Sequence, residues 1–379
     1  MPLLLALDEG TTSARAALYN EQGERLSMQS RPIACAYPHP GWVEQDADEI
    51  WRAQVESARH VLSQAKGAVT ALGITNQRET TVVWDRRTGK PVAPAIVWQC
   101  RRTADFCREL AESGAAITAR TGLVIDAYFS GSKIKWILDN VTDARARAED
   151  GELLFGNVDA WLIWRLTNGE VHVTDHSNAS RTQLMDLREG DWNDDLLRTF
   201  DVPRAMLPRI VGSSEIVGVA QAEHLGVEVL IAGIAGDQQA ALAGQACFKP
   251  GLTKNTYGTG CFALMHTGGQ APVSAHKLLA TRAATINHVP QYAVEGSVFI
   301  GARRSMVARQ DRIDLDRRRV EAVASSVPDT DGVYLVPAFV GLGAPYWDAK
   351  ARGTLTGMTQ GHGSSAYRTG STGGDCVPD

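Results

Sequence analysis

Leu3-Leu4-Leu5-Ala6-Leu7-Asp8-Glu9-Gly10-Thr11-Thr12-Ser13-Ala14-Arg15-Ala16-Ala17-Leu18-Tyr19 is the stretch that decides the fold. An apolar run, Leu3 to Leu7, ends in a polar Gly/Thr turn, and a second apolar stretch, Ala16 to Tyr19, follows. Strand, turn, strand is the simplest reading: a hairpin whose tip is rich in hydrogen-bond donors. Successive backbone N–H groups in such a turn converge on one point and the hydroxyls add donors, which makes an anion nest. Asp8 is placed to hold a hydrated Mg²⁺, and Arg15 adds positive charge. An ordinary hairpin turn is the competing reading of the same residues. The turn is not a P-loop, because no Lys-Ser/Thr follows the glycine.

Downstream, Asp46 to Ala65 predicts a helix, with Ile50, Trp51, Val55, Ala58 and Leu62 on one face and acidic residues in its first turn. Ala71 to Thr75 and Thr81 to Trp84 read as strands flanking Asn76-Gln77-Arg78-Glu79-Thr80, and Ser132 to Leu138 and Ala160 to Leu166 read as helices. Near Val229 the pattern restarts. Val229 to Ile234 is apolar and leads into Ala235-Gly236-Asp237-Gln238-Gln239, and Lys254 to Gly260 leads into the apolar Cys261 to Met265. A polar Gly/Thr turn beside an apolar strand thus occurs twice, which implies two similar halves with a boundary near Gln221 to Gly226. The expected domains are 1–225, 226–359 and a Gly/Ser/Thr-rich tail, 360–379, whose composition predicts disorder.

The chain has 379 residues, enough for two domains, with 44% hydrophobic and 21% charged residues. Its formal net charge of −5 gives no support for a nucleic-acid partner or an anionic membrane surface. The six cysteines form no C-x-x-C pair, which suits a reducing cytoplasm better than a disulfide scaffold. Leu3 to Leu7 has no basic start and no cleavage-like segment, so it reads as a buried strand rather than a signal peptide. No stretch approaches the ~20 apolar residues of a membrane-spanning helix.

A small polyol needs paired donors and acceptors for its hydroxyls and an apolar wall for its carbons. Arg78 and Glu79 offer the first, and Trp98, Tyr128 and Phe262 offer the second. A salt bridge and ordinary core aromatics are the bland readings of these residues. Asp237 follows an apolar strand, where a carboxylate faces a ligand crevice and accepts a proton from an attacking hydroxyl. It would equally serve as the N-cap of a helix over Gln238 to Gln245.

Six blocks resemble one known family. They are Asp8-Glu9-Gly10-Thr11-Thr12-Ser13-Ala14-Arg15, Gly73-Ile74-Thr75-Asn76-Gln77-Arg78-Glu79-Thr80-Thr81, Ile96-Val97-Trp98-Gln99-Cys100-Arg101-Arg102, Tyr128-Phe129-Ser130-Gly131-Ser132-Lys133-Ile134-Lys135-Trp136, Asn255-Thr256-Tyr257-Gly258-Thr259-Gly260-Cys261-Phe262 and Gly341-Leu342-Gly343-Ala344-Pro345-Tyr346-Trp347-Asp348. In this order they are similar to glycerol kinases. The resemblance runs from Leu3 to about Phe299 and resumes from about Val320 to Met358. It implies an α/β fold of two ribonuclease-H-like, actin-like ATPase domains around a cleft, the second incomplete here. It implies phosphorylation of glycerol to glycerol 3-phosphate with ATP and Mg²⁺, in a cytoplasmic enzyme without membrane insertion. It leaves room for a homo-oligomer of the full-length parent.

Carried over position by position, Arg78, Glu79, Trp98, Tyr128, Asp237, Gln238 and Phe262 match the family's glycerol contacts, and Asp237 matches its catalytic base. Thr11, Thr12, Ser13, Thr259 and Gly260 match phosphate-contacting positions, Arg15 a nearby basic one, and Asp8 the Mg²⁺-associated aspartate. The Arg78–Glu79 pair favours glycerol over the sugars of related kinases. Glu9 stands where the family usually has Gln. After Ile300 the chain departs from the family's Gly/Ala-rich helix, and Arg303 to Arg319 carries seven arginines with no apolar face. It departs again after Thr359, before the family's adenosine-holding Gly-Gly block. We read both departures as out-of-frame segments, with weak ATP binding and low turnover as the expectation. A related sugar kinase and a catalytically dead polyol-binding remnant are the alternatives.

Overall fold

The computed structural model describes residues 2–258, 260–285, 289–300, 329–330 and 332–359. The hairpin forms as the pattern predicts. β1 (Leu3–Glu9) pairs antiparallel with β2 (Ser13–Tyr19), Leu7 opposite Ala16. Gly10 N–H donates to the Ser13 carbonyl at 3.0 Å and closes the tip. A third strand, β3 (Arg25–Pro32), continues the meander.

The helix expected over Asp46 to Ala65 is α1 (Ala47–Leu62). The Asp46 carboxylate accepts the Asp48 N–H as its N-cap, and Asp48 and Glu49 complement the positive end of the helix dipole. Ile50, Trp51, Val55 and Ala58 are buried in the core, and Leu62 packs partly buried against it. The helix returns the chain parallel to β1, which is what a crossover connection permits. The next strand, β4 (Val69–Asn76), lies parallel to β1, Leu7 opposite Ile74 and Glu9 opposite Asn76.

The two strands expected on either side of Asn76 to Thr80 both form, in different sheets. β5 (Val82–Asp85) pairs antiparallel with β6 (Leu153–Gly156) rather than with β4. The helices expected over Ser132 to Leu138 and Ala160 to Leu166 are α2 (Ser130–Asn140) and α3 (Val158–Leu166). Trp161 of α3 stacks on Trp164 at 6.3 Å, meets Trp84 edge-on at 5.2 Å, and donates its indole N–H to the Ala47 carbonyl at 2.9 Å.

The expected boundary near Gln221 to Gly226 does not separate two sheets. β7 (Gly218–Ala220) and β8 (Val229–Gly236) both join the first sheet, whose order is β7-β8-β4-β1-β2-β3. β8 is parallel to β4, with Ile234 opposite Ile74 and Gly236 opposite Asn76. The apolar restart at Val229 therefore completes the first core: Ile231 and Ile234 are buried with Leu5, Leu7, Leu72 and Ile74. After β8 comes α4 (Asp237–Gly244). A second sheet follows in the order β9-β10-β12-β11, from β9 (Thr253–Tyr257), β10 (Cys261–Gly268), β11 (Leu279–Arg282) and β12 (Tyr292–Val298).

Two compact units result. The first holds Met1–Lys254 and Leu264–Glu295, and the second Asn255–Ala263 and Gly296–Asp379. Within the second, β13 (Tyr334–Val336) pairs antiparallel with β14 (Thr354–Thr356). Gly343 runs so close to the Ser297 carbonyl that an added Cβ would stand 2.2 Å from its oxygen, so only glycine fits. The arginine-rich Arg303 to Arg319 and the tail 360–379 lie outside the described residues. Among the described residues no helix is long and apolar enough to cross a membrane.

Trp161→Ala should destabilise the first unit by about 3–5 kcal/mol, the cost of a large cavity in a packed core. Urea unfolding measures it, and a loss below about 1 kcal/mol contradicts the packing described here.

Candidate active site

Three parallel strands end at one edge of the first sheet. Glu9, Asn76 and Gly236 lie in register across β1, β4 and β8. The residues that leave this edge are Gly10 to Thr12 after β1, Gln77 to Thr80 after β4, and Asp237 at the start of α4. Ligands of open α/β sheets bind at the carboxyl ends of their strands. The register therefore gathers the turn, the Arg-Glu pair and the aspartate, which are remote in sequence.

Arg78 and Glu79 are both buried, and they do not simply pair with each other. Their closest approach, Arg78 Nε to Glu79 Oε1, is 3.8 Å. Arg78 instead makes a bidentate pair with Glu295 of β12, Nη1 to Oε2 at 2.6 Å and Nη2 to Oε1 at 3.0 Å. Glu79 Oε1 accepts from Arg181 Nε at 2.6 Å, and Arg181 Nη2 also reaches Glu295 Oε1 at 3.1 Å. Two guanidiniums and two carboxylates thus balance out of water, where an unpaired charge would be costly. Glu79 sits at φ 62°, a left-handed backbone uncommon for a side-chain-bearing residue. Its carbonyl is held by Lys133 Nζ at 3.1 Å, and the same ammonium holds the Tyr128 carbonyl at 2.7 Å. Burial pulls Lys133 down to about 7.

Asp237 begins α4, but its carboxylate does not cap the helix in the usual way. Gln238 N–H donates to Oδ1 at 2.8 Å, Gln238 Nε2 donates to Oδ2 at 2.9 Å, and Arg78 Nε lies 3.3 Å from Oδ1. The side chain remains 34% exposed, so it keeps an open face toward an incoming group. A carboxylate oriented by donors and still accessible can accept a proton from a bound hydroxyl.

The aromatic wall and the Gly/Thr turn touch. Trp98 Nε1–H donates to Thr11 Oγ1 at 2.8 Å, and the Trp98 and Tyr128 rings meet edge-on at 5.7 Å. Gln45 Nε2–H donates to the Thr11 carbonyl at 2.7 Å, and the Ile33 N–H donates to that of Thr12 at 3.0 Å. These bonds hold the turn from behind. Ser13 opens β2, and Arg15 Nη2 lies 3.1 Å from Asp8 Oδ2. Phe262 and Gly260 belong to the second unit. There the Phe262 ring leaves no room for a Cβ on Gly260, which would meet it at 2.8 Å. Thr259 lies outside the described residues.

Burial raises Asp8 above the usual carboxylate range; the Arg15 charge opposes the shift and the Asp237 charge adds to it. Arg15 thus offsets the burial of Asp8 only in part, and a divalent cation would supply the remaining positive charge. Among the described residues no three His, Cys, Asp or Glu side chains gather around one point. Mg²⁺ in phosphoryl transfer needs only one or two carboxylates, its other ligands being phosphate oxygens and water. Asp8 fits that requirement.

Glu9 is fully buried. Its Oε1 accepts from Gln77 Nε2 at 3.4 Å, and its Oε2 has no hydrogen-bond partner among the described residues. Burial pushes this carboxyl well above its ordinary range and so favours the neutral acid, which is close in shape and charge to a glutamine.

The reading of the sequence did not single out Arg181, Glu295, Lys254 or Gln239. Glu295 carried a usable signal, since it is a charged residue at an inward position of the apolar strand Tyr-Ala-Val-Glu-Gly-Ser-Val. Arg181 follows a four-residue helix, His176–Ala179, with no periodicity to mark it.

Glu295→Ala leaves Arg78 and Arg181 short of a buried counter-charge, and should cost about 3–5 kcal/mol in a denaturant melt. An unchanged midpoint contradicts the quartet. For Glu9, the folded chain keeps a proton that the unfolded chain releases in the ordinary carboxylate range. Its stabilising contribution is present at low pH and lost as pH rises toward the raised folded value. The melting temperature of Glu9→Gln relative to the parent should therefore rise as pH increases above the ordinary carboxylate range. A pH-independent difference counts against a neutral Glu9.

Comparison with known proteins accords with this geometry. Residues 3–244 match the N-terminal domain of the FGGY family of carbohydrate kinases, and residues 253–370 match its C-terminal domain. The second match spans the arginine-rich segment and enters the tail. Glycerol kinase 2 of Thermotoga maritima is 55% identical over 367 residues, covering 95% of this chain and 74% of the relative. The glycerol kinase of Delftia acidovorans is 54% identical over the same shares of the two chains. The solved Plasmodium falciparum glycerol kinase with ADP superposes with a TM-score of 0.82 at 34% identity, over 99% of this chain and 76% of that one. A ligand-bound xylulose kinase from Lactobacillus acidophilus reaches the same TM-score at 20% identity, which speaks for the fold alone. With both domains matched, the chain belongs to the FGGY family of carbohydrate kinases.

Proposed function

We propose that this chain transfers the γ-phosphoryl group of ATP to a terminal hydroxyl of glycerol, giving sn-glycerol 3-phosphate and ADP. The observation that carries the reading is the Asp237 carboxylate, turned by three donors and left open beside Arg78 and Glu79. The relatives at 54–55% identity are glycerol kinases, which favours glycerol among the family's polyols and sugars.

Asp237 accepts the proton of the attacking hydroxyl. That oxygen bonds to the γ-phosphorus as the bond to the β,γ-bridging oxygen breaks, and ADP leaves with the electron pair. The reaction depends on positioning more than on covalent help, so the fixed side chains matter most. Arg78 donates to glycerol hydroxyls and Glu79 accepts from them, each kept in place by a partner outside the reaction. Gln238 contacts the same substrate. Trp98 and Tyr128 line its carbon skeleton, and the family resemblance assigns Phe262 to the same wall. Thr11, Thr12 and Ser13 supply donors for the phosphates, with Arg15 adding charge, and the family resemblance assigns Thr259 and Gly260 the same role. Asp8 is the residue that would hold Mg²⁺, and the cation, when bound, spreads the charge that develops on the phosphoryl oxygens.

Cys100, Cys107 and Cys247 are free thiols among the described residues, which suits a cytoplasmic enzyme. Glycerol-dependent ADP release, with glycerol 3-phosphate identified as product, tests the reaction. Asp237→Asn should keep the parent's melting temperature and lose about 10²–10⁴-fold in kcat, the usual worth of a general base. Absence of glycerol 3-phosphate from the folded parent chain, or full activity of Asp237→Asn, overturns the reading.

A further inference from the structure

Lys254 on β9 is a buried cation for which the reaction above has no role; its exposure is 1%. Its ammonium donates to Gln238 Oε1. An ammonium has donors and no acceptor, so it constrains the amide it meets. The Gln238 oxygen must turn toward β9 and its NH₂ group the other way. That NH₂ group is the donor to Asp237 Oδ2 at 2.9 Å. The reversed amide would set its carbonyl against the carboxylate, two acceptors facing each other, and Asp237 would lose one of its three donors.

We infer that Lys254 is a positioning residue for phosphoryl transfer: it fixes the Gln238 amide, and through it the rotamer in which Asp237 meets the substrate hydroxyl. The inference rests on the reading of Asp237 as the base. The charged groups around Lys254 are Arg78, Glu295 and Asp237, with the Cys247 thiol nearby. Burial pulls Lys254 down to about 8; Arg78 acts in the same direction, and Glu295, Asp237 and Cys247 act against it. A lysine placed for packing alone would not need its ammonium against the one amide that orients the carboxylate.

Lys254→Met should lower kcat by about tenfold or more, the effect of one misdirected hydrogen bond at the reacting group, with the KM for ATP unchanged. Lys254→Arg, which keeps a cation of similar reach, should recover most of that loss. In a Gln238→Leu background Lys254→Met should cost little further, because the amide it orients is gone. An equal, additive loss in both backgrounds marks a role in folding only and overturns the inference.

A second measurement needs no turnover. In the ligand-free chain labelled with ¹³C at lysine Cε, the Lys254 resonance should titrate near pH 8. In Gln238→Leu its midpoint should fall, since the ammonium has lost its acceptor. An unmoved midpoint overturns the contact on which the inference depends. A parent chain that makes no glycerol 3-phosphate defeats the functional reading, while the titration still decides the Lys254 contact. If Lys254→Met does not fold, kcat of Lys254→Arg and the titration decide together: loss of activity with arginine and an unmoved midpoint defeat the inference.

Discussion

The bidentate pair between Arg78 and Glu295 is the contact on which the site depends. It joins the segment after β4 to β12, across more than half the length of the chain, and both charges are out of water. Neither partner is affordable alone in that setting, since a single buried charge costs several kcal/mol. Arg181 and Glu79 complete the balance, so the four charges are stable only as a set. Once Glu295 has taken both terminal nitrogens of Arg78, the Nε edge faces Asp237. The quartet thus fixes the acceptor pair and aims one donor at the candidate base.

The backbone supplies the frame for this cluster. Parallel pairing of β1, β4 and β8 brings three chain reversals to a single edge, and register alone puts Glu9, Asn76 and Gly236 abreast. Side chains then couple the parts. The Trp98 indole ties the aromatic wall to the hydroxyl of Thr11, so the surface for carbon and the turn for phosphate share a hydrogen bond. Lys133 holds the carbonyls of both Glu79 and Tyr128, which steadies a left-handed backbone that would otherwise relax. Glu9 shows the same economy of charge: its carboxyl is fully buried, and burial raises its pKa well above the ordinary range.

Several elements could be read directly from the sequence, for physical reasons that are local. The β1–β2 hairpin and α1 announce themselves through alternation, a donor-rich turn, an N-cap and an apolar stripe, all within one element's length. Asp237 was a candidate by its place after an apolar strand, with a helix N-cap as the competing reading, and the resemblance named it as the base. Arg78 and Glu79 were legible as candidates, but their adjacency suggested a pair with each other. In the fold, adjacent residues of that loop point to different partners, Glu295 and Arg181.

The sequence by itself determined the element types, the candidate base, the polar loop and the family resemblance, because these reside in short-range periodicity and contiguous motifs. Only the tertiary structure decided that β8 completes the first sheet instead of opening a second, since strand pairing is a long-range choice set by which apolar faces bury together. Only it decided which carboxylate balances which guanidinium. Charge neutralisation in a buried site depends on distances between side chains remote in the chain, and no local spacing encodes those distances.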